Sequence, residues 1–368
     1  MTDVMVEKIK QNTDQVFFPF ISEKGIEIDR VAFIIPGIGI EIYWYGLLIG
    51  IGVVLAMLLA YKKFQSFGID SDRATDVIIG GVIGAVLFAR LYYVIFSWSD
   101  YVLDGKIQWK QLLNYRDGGL AIYGGVIGGF LAASVICRLR KIKAAALFDI
   151  ASMGFLIGQA LGRWGNFFNQ ECYGSLTKLP WAMTSKKIMF ELSTLYPDSP
   201  KAELLAHPTF LYESLWCIIG FLGLYFYMKH RKFDGEMFLL YLGWYGLGRT
   251  VFEGLRTDSL YLGSTSIRVS QIFAALCVIA SVVLIVYKRM AIKKAGSYQF
   301  FYETELSKSQ IEGSKKKFSE EKTNKRPLKE LINSAFENDP EEDDDEDEAD
   351  EFYDAGEDDD DEEDDIDE

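Results

Sequence analysis

The chain has 368 residues, of which 49% are hydrophobic, and it contains 26 Phe, 20 Tyr and 33 Gly. This composition is too apolar and too rich in glycine for an ordinary soluble domain. The formal net charge of -15 arises from residues 341–368, which hold 22 Asp or Glu and no Lys or Arg. The remainder has 38 basic against 31 acidic residues, a net of +7. The sequence therefore describes a mildly basic apolar body followed by an acidic tail, and we expect the tail to be disordered.

Seven apolar runs divide the body, and each has about the 20 residues that are needed to cross roughly 30 Å of hydrocarbon. The runs are 42–61, 76–96, 119–137, 147–168, 209–228, 236–254 and 267–287. Segments in lipid must be helices, because every backbone polar group needs an internal partner. The sequence predicts an all-α polytopic membrane protein with seven transmembrane helices.

Basic residues in the connections between the runs predict the orientation. The connections 62–75, 138–146, 229–235 and 288–294 hold 14 Lys or Arg in 37 positions, whereas the alternate set holds 12 in 115. Because the first set is denser in positive charge, we expect it in the cytoplasm. The N-terminus then lies outside and the acidic C-terminus inside.

Four regions follow from these patterns: an extracytoplasmic N-terminal segment 1–41, a transmembrane body 42–290, a charged cytoplasmic segment 291–340 and the disordered tail 341–368. The segment 291–340 includes a short amphipathic stretch near 327–336. The four cysteines show no paired spacing and only two histidines occur, so neither a disulfide framework nor a His-rich metal site is expected. Clustered glycines, including two GxxxG spacings in run four, favour close helix packing over a nucleotide-binding loop.

Polar side chains gather at the predicted outer ends of five runs. Arg163 and Asn166 are i,i+3 neighbours at the end of run four, with Glu171 just beyond. Arg249 and Glu253 lie on one stripe of run six, and an arginine inside a membrane costs about 2.5–3.5 kcal/mol unless something offsets it. The further residues at this depth are Tyr45, Tyr123, His207 and Tyr245, with Arg90 somewhat deeper.

Each of these residues also has a structural interpretation. Arg163 could extend to the interface, Arg249 with Glu253 could be a structural ion pair, and His207 could belong to a helix cap. Their joint occurrence at one depth favours a ligand, and guanidinium groups at headgroup level suit a phosphate. The residues alone therefore predict a membrane protein that handles an anionic lipid headgroup from the outer leaflet, and they do not identify a reaction.

At these positions the sequence resembles the bacterial prolipoprotein diacylglyceryl transferase family. The resemblance covers about 40–290 and rests on a long signature that starts at Gly162. The matching segments are Trp44-Tyr45-Gly46, the Gly118-to-Gly129 run, GRWGNFFNQECYG from Gly162, HPTFLYE from His207, and Tyr245-Gly-Leu-Gly-Arg249 with Glu253.

The resemblance implies transfer of a diacylglyceryl group from phosphatidylglycerol to the lipobox cysteine of a preprolipoprotein, at the outer face of the bacterial cytoplasmic membrane. The product is a thioether and glycerol phosphate leaves. It implies membrane lipid as the surroundings, and no cofactor, metal or nucleic-acid partner. Arg163 corresponds to the arginine that binds phosphatidylglycerol, and Arg249 to a second essential arginine. The residues expected to shape the site are Asn166, Glu171, Tyr45, Tyr245, Glu253 and His207.

Tyr123 departs from the family pattern, because several members carry at this position a histidine that has been assigned as the base. Tyrosine has a reference pKa near 10 and is a poor base at neutral pH. Either Tyr123 only forms a hydrogen bond, or the thiol proton goes to Glu171, Glu253, His207 or the departing phosphate.

Two other functions remain open from the sequence. A transporter or lipid-binding protein would carry polar residues through the full membrane depth and would show two corresponding halves with broken helices. The polar residues here gather at one level, which favours the transferase. The acidic tail could by itself bind cations or dock a protein.

Overall fold

The computed structural model describes residues 3–11, 14–103, 106–114, 118–257 and 268–319. Compact packing divides the chain into Met1–Lys315 and Lys316–Glu368. The helices and strands discussed below lie in the first unit, except that the last helix continues to residue 319. The predicted amphipathic stretch near 327–336 and the acidic tail 341–368 lie outside the described residues.

The described part is mostly helical. Its α-helices are α1 (Asp3–Gln11), α2 (Trp44–Phe64), α3 (Ser71–Phe96), α4 (Trp109–Leu113), α5 (Ile122–Leu139), α6 (Ala144–Asn169), α7 (Lys186–Leu195), α8 (Thr209–Tyr227), α9 (Glu236–Glu253), α10 (Val269–Ala295) and α11 (305–319). Its strands are β1 (Gln15–Phe18), β2 (Ser22–Glu27), β3 (Val31–Ile34), β4 (Glu41–Tyr43), β5 (Val102–Leu103), β6 (Lys106–Ile107) and β7 (Thr184–Ser185). The expectation of an all-α chain is therefore corrected to a mostly helical chain with short strands in the connections.

Six helices among the described residues are long and apolar enough to cross a membrane: α2, α3, α5, α6, α8 and α10. They coincide with six of the seven predicted runs. The remaining run forms α9, which has 18 residues and packs against α6, α8 and α10. Glu236, Arg249 and Glu253 give α9 three charged side chains within its 18 residues. The chain is a polytopic membrane protein, and the count of seven spans stays a prediction.

Glycines allow close approach in two helix pairs. In the α3–α5 pair, a Cβ at Gly84 would lie 3.1 Å from the backbone oxygen of Gly128. In the α2–α6 pair, a Cβ at Gly52 would lie 3.1 Å from the Cα of Gly158. Small residues are favoured where helices associate in lipid, because dispersion contacts replace the hydrophobic effect there. The glycine clusters thus serve helix packing.

The N-terminal segment and the connection between α6 and α8 share one hydrophobic cluster. β1 pairs antiparallel with both β2 and β7, in the order β2-β1-β7. The buried side chains Ile9, Phe17 and Leu192 join α1, β1 and α7 in this cluster. Phe167 of α6 and Phe210 of α8 contact each other at 4.6 Å between ring centroids and belong to the same cluster. We call these packed segments, 3–11, 14–28 and 173–206, the cap; it lies over the ends of α6 and α8.

The opposite end of the bundle is held by charged groups and by the segment that follows α10. Asp149 of α6 accepts hydrogen bonds from the backbone N–H groups of Gly235 (2.8 Å) and Phe238 (2.9 Å) at the start of α9. Asp234 accepts a hydrogen bond from the backbone N–H of Phe301 (2.9 Å) and pairs with Lys143 (3.0 Å). These contacts fix the start of α9 and seat the buried side chain of Phe301.

Candidate active site

Glu213 lies at the centre of a charged cluster that connects α6, α8 and the end of α9. Its Oε2 is 2.8 Å from Nη2 of Arg163 and 3.7 Å from Nη1 of Arg249. Its Oε1 is 3.8 Å from Nη1 of Arg256, and Glu253 pairs with Arg249 at 2.7 Å. The spacing of Arg249 and Glu253 is i,i+4 on α9, which places the two side chains on one face. Arg249 and Glu253 are thus brought together by one helix, and the other members of the cluster come from positions that are distant in the sequence.

The charges of this cluster are largely removed from solvent. The side chains of Glu213 and Glu253 are 6% and 3% exposed, and those of Arg163 and Arg249 are 16% and 23% exposed. Among the described residues, the guanidinium groups of Arg163, Arg249 and Arg256 lie around the carboxylates of Glu213 and Glu253. Withdrawing charges from water is costly, and closely spaced guanidinium groups attract anions. The cluster is therefore chemically suited to an anionic ligand.

The end of α6 holds Glu171 in a second polar group. Oε1 of Glu171 accepts hydrogen bonds from the side-chain amides of Asn166 (2.9 Å) and Asn169 (3.2 Å). Gln170 and Cys172, on either side, have positive φ angles of 51° and 57°. Non-glycine residues rarely adopt this conformation, and such strain is concentrated at functional sites. Glu171 is thereby held in one orientation, and among the described residues the structure records no ion pair to it.

Tyr45 and Tyr245 lie on helices that pack beside the charged residues. Tyr45 packs against Gly165, where a Cβ would overlap its ring, so this glycine of the signature makes room for the tyrosine. Tyr245 stacks on Tyr241 at 5.9 Å between ring centroids, one turn before Arg249. Both phenols are thus placed near the cluster by helix packing.

His207 lies just before α8, where its Nδ1 is 3.2 Å from the hydroxyl of Tyr212. Burial lowers the pKa of His207 below its usual value, so its imidazole is neutral at pH 7. Its backbone carbonyl accepts the N–H of Gly174 (2.9 Å), and Gly174 is bridged to Arg256. His207 therefore belongs to the strand-like connection that positions Arg256.

Two residues singled out from the sequence lie elsewhere. Tyr123 is in the first turn of α5, 54% exposed, and no hydrogen bond of its hydroxyl is found in the described part of the chain. Arg90 of α3 donates to the backbone carbonyls of Leu112 (3.0 Å) and Gly119 (2.9 Å), and it fastens the segment before α5. The structure therefore does not bring Tyr123 into contact with the arginines, and Arg90 has a structural role.

A cavity of about 220 Å³ lies between α2, α6 and α8, beside the charged cluster. Its walls are apolar except for Trp164 and Ser214, which are the sequence neighbours of Arg163 and Glu213. The indole N–H of Trp164 donates to the hydroxyl of Ser214 (3.2 Å). The charged groups thus adjoin an apolar space that opens between membrane helices.

Glu213 and Arg256 were not singled out by the sequence reasoning. Glu213 is the last residue of the HPTFLYE segment. A carboxylate in the first turns of an apolar run was therefore the feature of the sequence that could have indicated it. Its partners come from two other helices, and pairing between helices leaves no spacing in the sequence. Arg256 follows α9, in a connection that was expected on the extracytoplasmic side.

The fold and the cluster define a polytopic helical membrane protein with a cation-rich polar site at one end of its bundle. The family described as prolipoprotein diacylglyceryl transferase matches residues 30–287. The chain is 42% identical over 268 residues to the phosphatidylglycerol–prolipoprotein diacylglyceryl transferase of Finegoldia magna, which covers 72% of this chain and 98% of that protein. The transferases of Clostridium novyi (42% identical; 67% and 92% covered) and Bacillus cereus (40%; 72% and 93%) are similarly related.

The chain belongs to the prolipoprotein diacylglyceryl transferase family. It is a transferase of the first step of lipoprotein maturation, as the resemblance at Gly162 and the other motifs predicted. The matched region ends within α10, so the segment that carries Phe301 lies beyond it.

Proposed function

We propose that the cluster around Glu213 is the active site, and that it binds the phosphoglycerol headgroup of phosphatidylglycerol for transfer of the diacylglyceryl group. The observation that carries the proposal is the convergence of Arg163 and Arg249 on one buried carboxylate from two different helices. Guanidinium groups bind phosphate oxygens bidentately, and Glu213 fixes their planes before the lipid arrives. The charge of the phosphate is then held by the two guanidinium groups.

In the reaction, the cysteine sulfur of the prolipoprotein attacks the diacylglyceryl carbon that is bonded to the phosphate oxygen. The new carbon–sulfur bond forms as that carbon–oxygen bond breaks, and glycerol phosphate leaves with the bonding electron pair. Negative charge moves onto the phosphate, where Arg249 and Arg163 stabilise it. Arg249 is oriented by Glu253, so its guanidinium stays in place as the charge develops.

The thiol must lose its proton, because the thiolate is the nucleophile. Glu171 and His207 are the two groups that suit this step. Glu171 is oriented by Asn166 and Asn169, and His207 is neutral at pH 7 and can accept a proton. Tyr123, Tyr45 and Tyr245 would contact the substrates, with Tyr123 at an exposed position.

The first part of an acyl chain would enter the apolar cavity between α2, α6 and α8, and the rest of the diacyl moiety would lie in the surrounding lipid. The dense positive charge of the connections at the opposite end favours placing that end in the cytoplasm. The active site then faces the extracytoplasmic side of a bacterial cytoplasmic membrane, where the cap meets secreted prolipoproteins. No cofactor or nucleic acid takes part in this scheme.

The proposal is tested with purified protein, phosphatidylglycerol labelled in its headgroup and a lipobox peptide. Mass spectrometry should detect the diacylglyceryl peptide, and labelled glycerol phosphate should be released in equal amount. Arg163→Ala should abolish both products, whereas Arg140→Ala, at the exposed pair with Asp76, should retain both. Normal thioether formation by the Arg163 variant would overturn the assignment.

A further inference from the structure

Two tryptophans form a reciprocal pair between α8 and α9. The indole N–H of Trp216 donates to the backbone carbonyl of Trp244 (3.0 Å), and the indole N–H of Trp244 donates to the carbonyl of Trp216 (3.0 Å). Their rings stack with centroids 4.1 Å apart and planes 11° from parallel. In the apolar interior of a membrane protein, an indole N–H without an acceptor would be costly, so the two bonds are strongly favoured.

Each tryptophan is followed four residues later by a glycine that makes the exchange possible. A Cβ at Gly220 would overlap the indole of Trp244, and a Cβ at Gly248 would overlap the indole of Trp216. In an α-helix the carbonyl of residue i already accepts the N–H of residue i+4. The glycine therefore exposes a carbonyl that takes a second donor from the facing helix. The motif W-x-x-x-G occurs once on each helix, and the two copies are related by an approximate twofold axis.

The two halves of this symmetric pair lie at different distances from the charged cluster. Gly248 directly precedes Arg249, and its partner Trp216 is one turn from Glu213 on α8. The other half, Gly220 with Trp244, is farther away. Gly220 lies about 10 Å along α8 from Glu213, and Trp244 lies about 7 Å along α9 from Arg249, at about 1.5 Å per residue. One half is thus near the site and the other serves as an internal reference.

We infer that the nearer half of the pair, Trp216 with Gly248, is a positioning contact that fixes the local spacing of α8 and α9 and thereby the geometry of Glu213 and Arg249. This inference rests on the proposed active site. A helix pair in lipid lacks a hydrophobic driving force for one particular spacing, so specific hydrogen bonds and close packing must select it. Glu213 and Arg249, which are 3.7 Å apart, flank the nearer contact on the two helices. Trp216 and Gly248 are positioning residues, because they act on the reacting groups only through Glu213 and Arg249.

The test compares Gly248→Ala with Gly220→Ala, which introduce the same methyl group against the same kind of side chain. Both variants should lower the melting temperature in detergent by similar amounts, since the two contacts are equivalent. Gly248→Ala should lower kcat at least tenfold more than Gly220→Ala, with the KM for phosphatidylglycerol changed less than threefold in both. Trp216→Phe against Trp244→Phe, which keep the ring and remove the N–H, should show the same order.

Equal losses of kcat in the two glycine variants would overturn the inference, because a purely structural pair has no nearer half. If the glycine variants do not accumulate, equal losses in the two phenylalanine variants would overturn it in the same way. Arg249→Ala is assayed alongside. Full activity of Arg249→Ala would overturn the proposed active site itself, whereas an inactive Arg249→Ala with equal glycine variants would overturn only the positioning role.

Discussion

The two ends of the helix bundle both bury charged side chains, but they satisfy them differently. At the end that holds Asp149, carboxylates accept backbone N–H groups: Asp149 from Gly235 and Phe238, and Asp234 from Phe301. At the end that holds Glu213, the carboxylate faces three guanidinium groups. The first arrangement fastens the start of α9 to α6 and to the segment after α10, whereas the second gathers guanidinium groups that are suited to bind an anion.

This difference separates scaffold from site more clearly than burial does. Along α6, Asp149 and Arg163 are 14 residues apart, about 20 Å at 1.5 Å per residue. Along α9, Glu236 and Arg249 have a similar separation. The same two helices therefore carry carboxylates bonded to backbone N–H groups at one end and guanidinium groups at the other. An alternative in which polar residues line a path through the bundle is not favoured, because the charges occupy the two ends.

The largest expected effect is a difference in kcat between alanine variants of two arginines that each pair with a glutamate. Arg249→Ala should lower kcat about 10²–10³-fold, since it removes a donor that faces the developing phosphate charge. Arg289→Ala removes the partner of Glu236 (2.7 Å), at the opposite end, from a side chain that is 46% exposed. Because the fully buried Glu236 keeps only Tyr227 and the backbone N–H of Lys232 as recorded donors among the described residues, the variant should lose about 3 kcal/mol of stability while kcat of the folded protein stays unchanged. Initial rates and melting curves in detergent of both variants test this prediction. A stable Arg289 variant with kcat lowered a hundredfold would contradict the distinction between the two ends.

The next effect concerns the two central carboxylates. Glu213→Gln removes the charge that orients the three arginines, and their displacement should lower kcat of the folded protein about 100-fold. Because it also leaves buried guanidinium groups less compensated, it should cost about 3 kcal/mol of stability. Asp149→Asn replaces one carboxylate oxygen, which accepts a backbone N–H group at the start of α9, by an amide group that can only donate. The variant should lose about 2 kcal/mol of unfolding free energy and retain its kcat. Activity per folded molecule and the melting temperature are measured for each. The opposite outcome, in which Asp149→Asn is stable and inactive, would place the reacting groups at the wrong end.

The segment after α10 provides a smaller effect that sharpens the assignment of the opposite end as scaffold. Phe301 is 5% exposed and its backbone N–H donates to Asp234. Phe301→Ala should cost about 3 kcal/mol of unfolding free energy while the rate of the folded enzyme stays the same. Tyr302→Ala, at a neighbouring residue that is 38% exposed, is the control and should change stability much less. Equal destabilisation of both variants would show that Phe301 is not seated as described.

Much of the fold could be predicted because lipid leaves few choices to an apolar run of about 20 residues. Six of the seven runs became helices of membrane-spanning length. The cap was not predicted, because β1 and β7 are 165 or more residues apart and pairing at such distance leaves no periodic pattern. The N-terminal segment 1–41 was expected to be separate, and part of it packs with the connection after α6.

The candidate site was predictable where its partners share a helix. Arg249 and Glu253 are i,i+4 neighbours, and Asn166 and Glu171 are close in sequence, so spacing alone brought each pair together. Glu213 could not be identified as the centre, because the register of α8 against α6 and α9 decides which charges meet. For Tyr123 the motif indicated a position in the family, but not which way α5 directs the side chain.

Substitution of Tyr123 has the smallest expected effect on activity, and it tests whether this residue takes the proton of the thiol. Tyr123 is 54% exposed, and α5 packs mainly on α3, while its Phe130 contacts Phe148 of α6 and Phe238 of α9. If its hydroxyl only contacts a substrate, Tyr123→Phe removes one hydrogen bond worth about 1 kcal/mol, roughly a fivefold loss of kcat/KM. If it were the base for the thiol, the loss would be about 10²–10⁴-fold and the pH dependence of kcat would change. We expect the smaller loss with an unaltered pH profile, since deprotonation is assigned to Glu171 or His207; a hundredfold loss in Tyr123→Phe would move that step to α5.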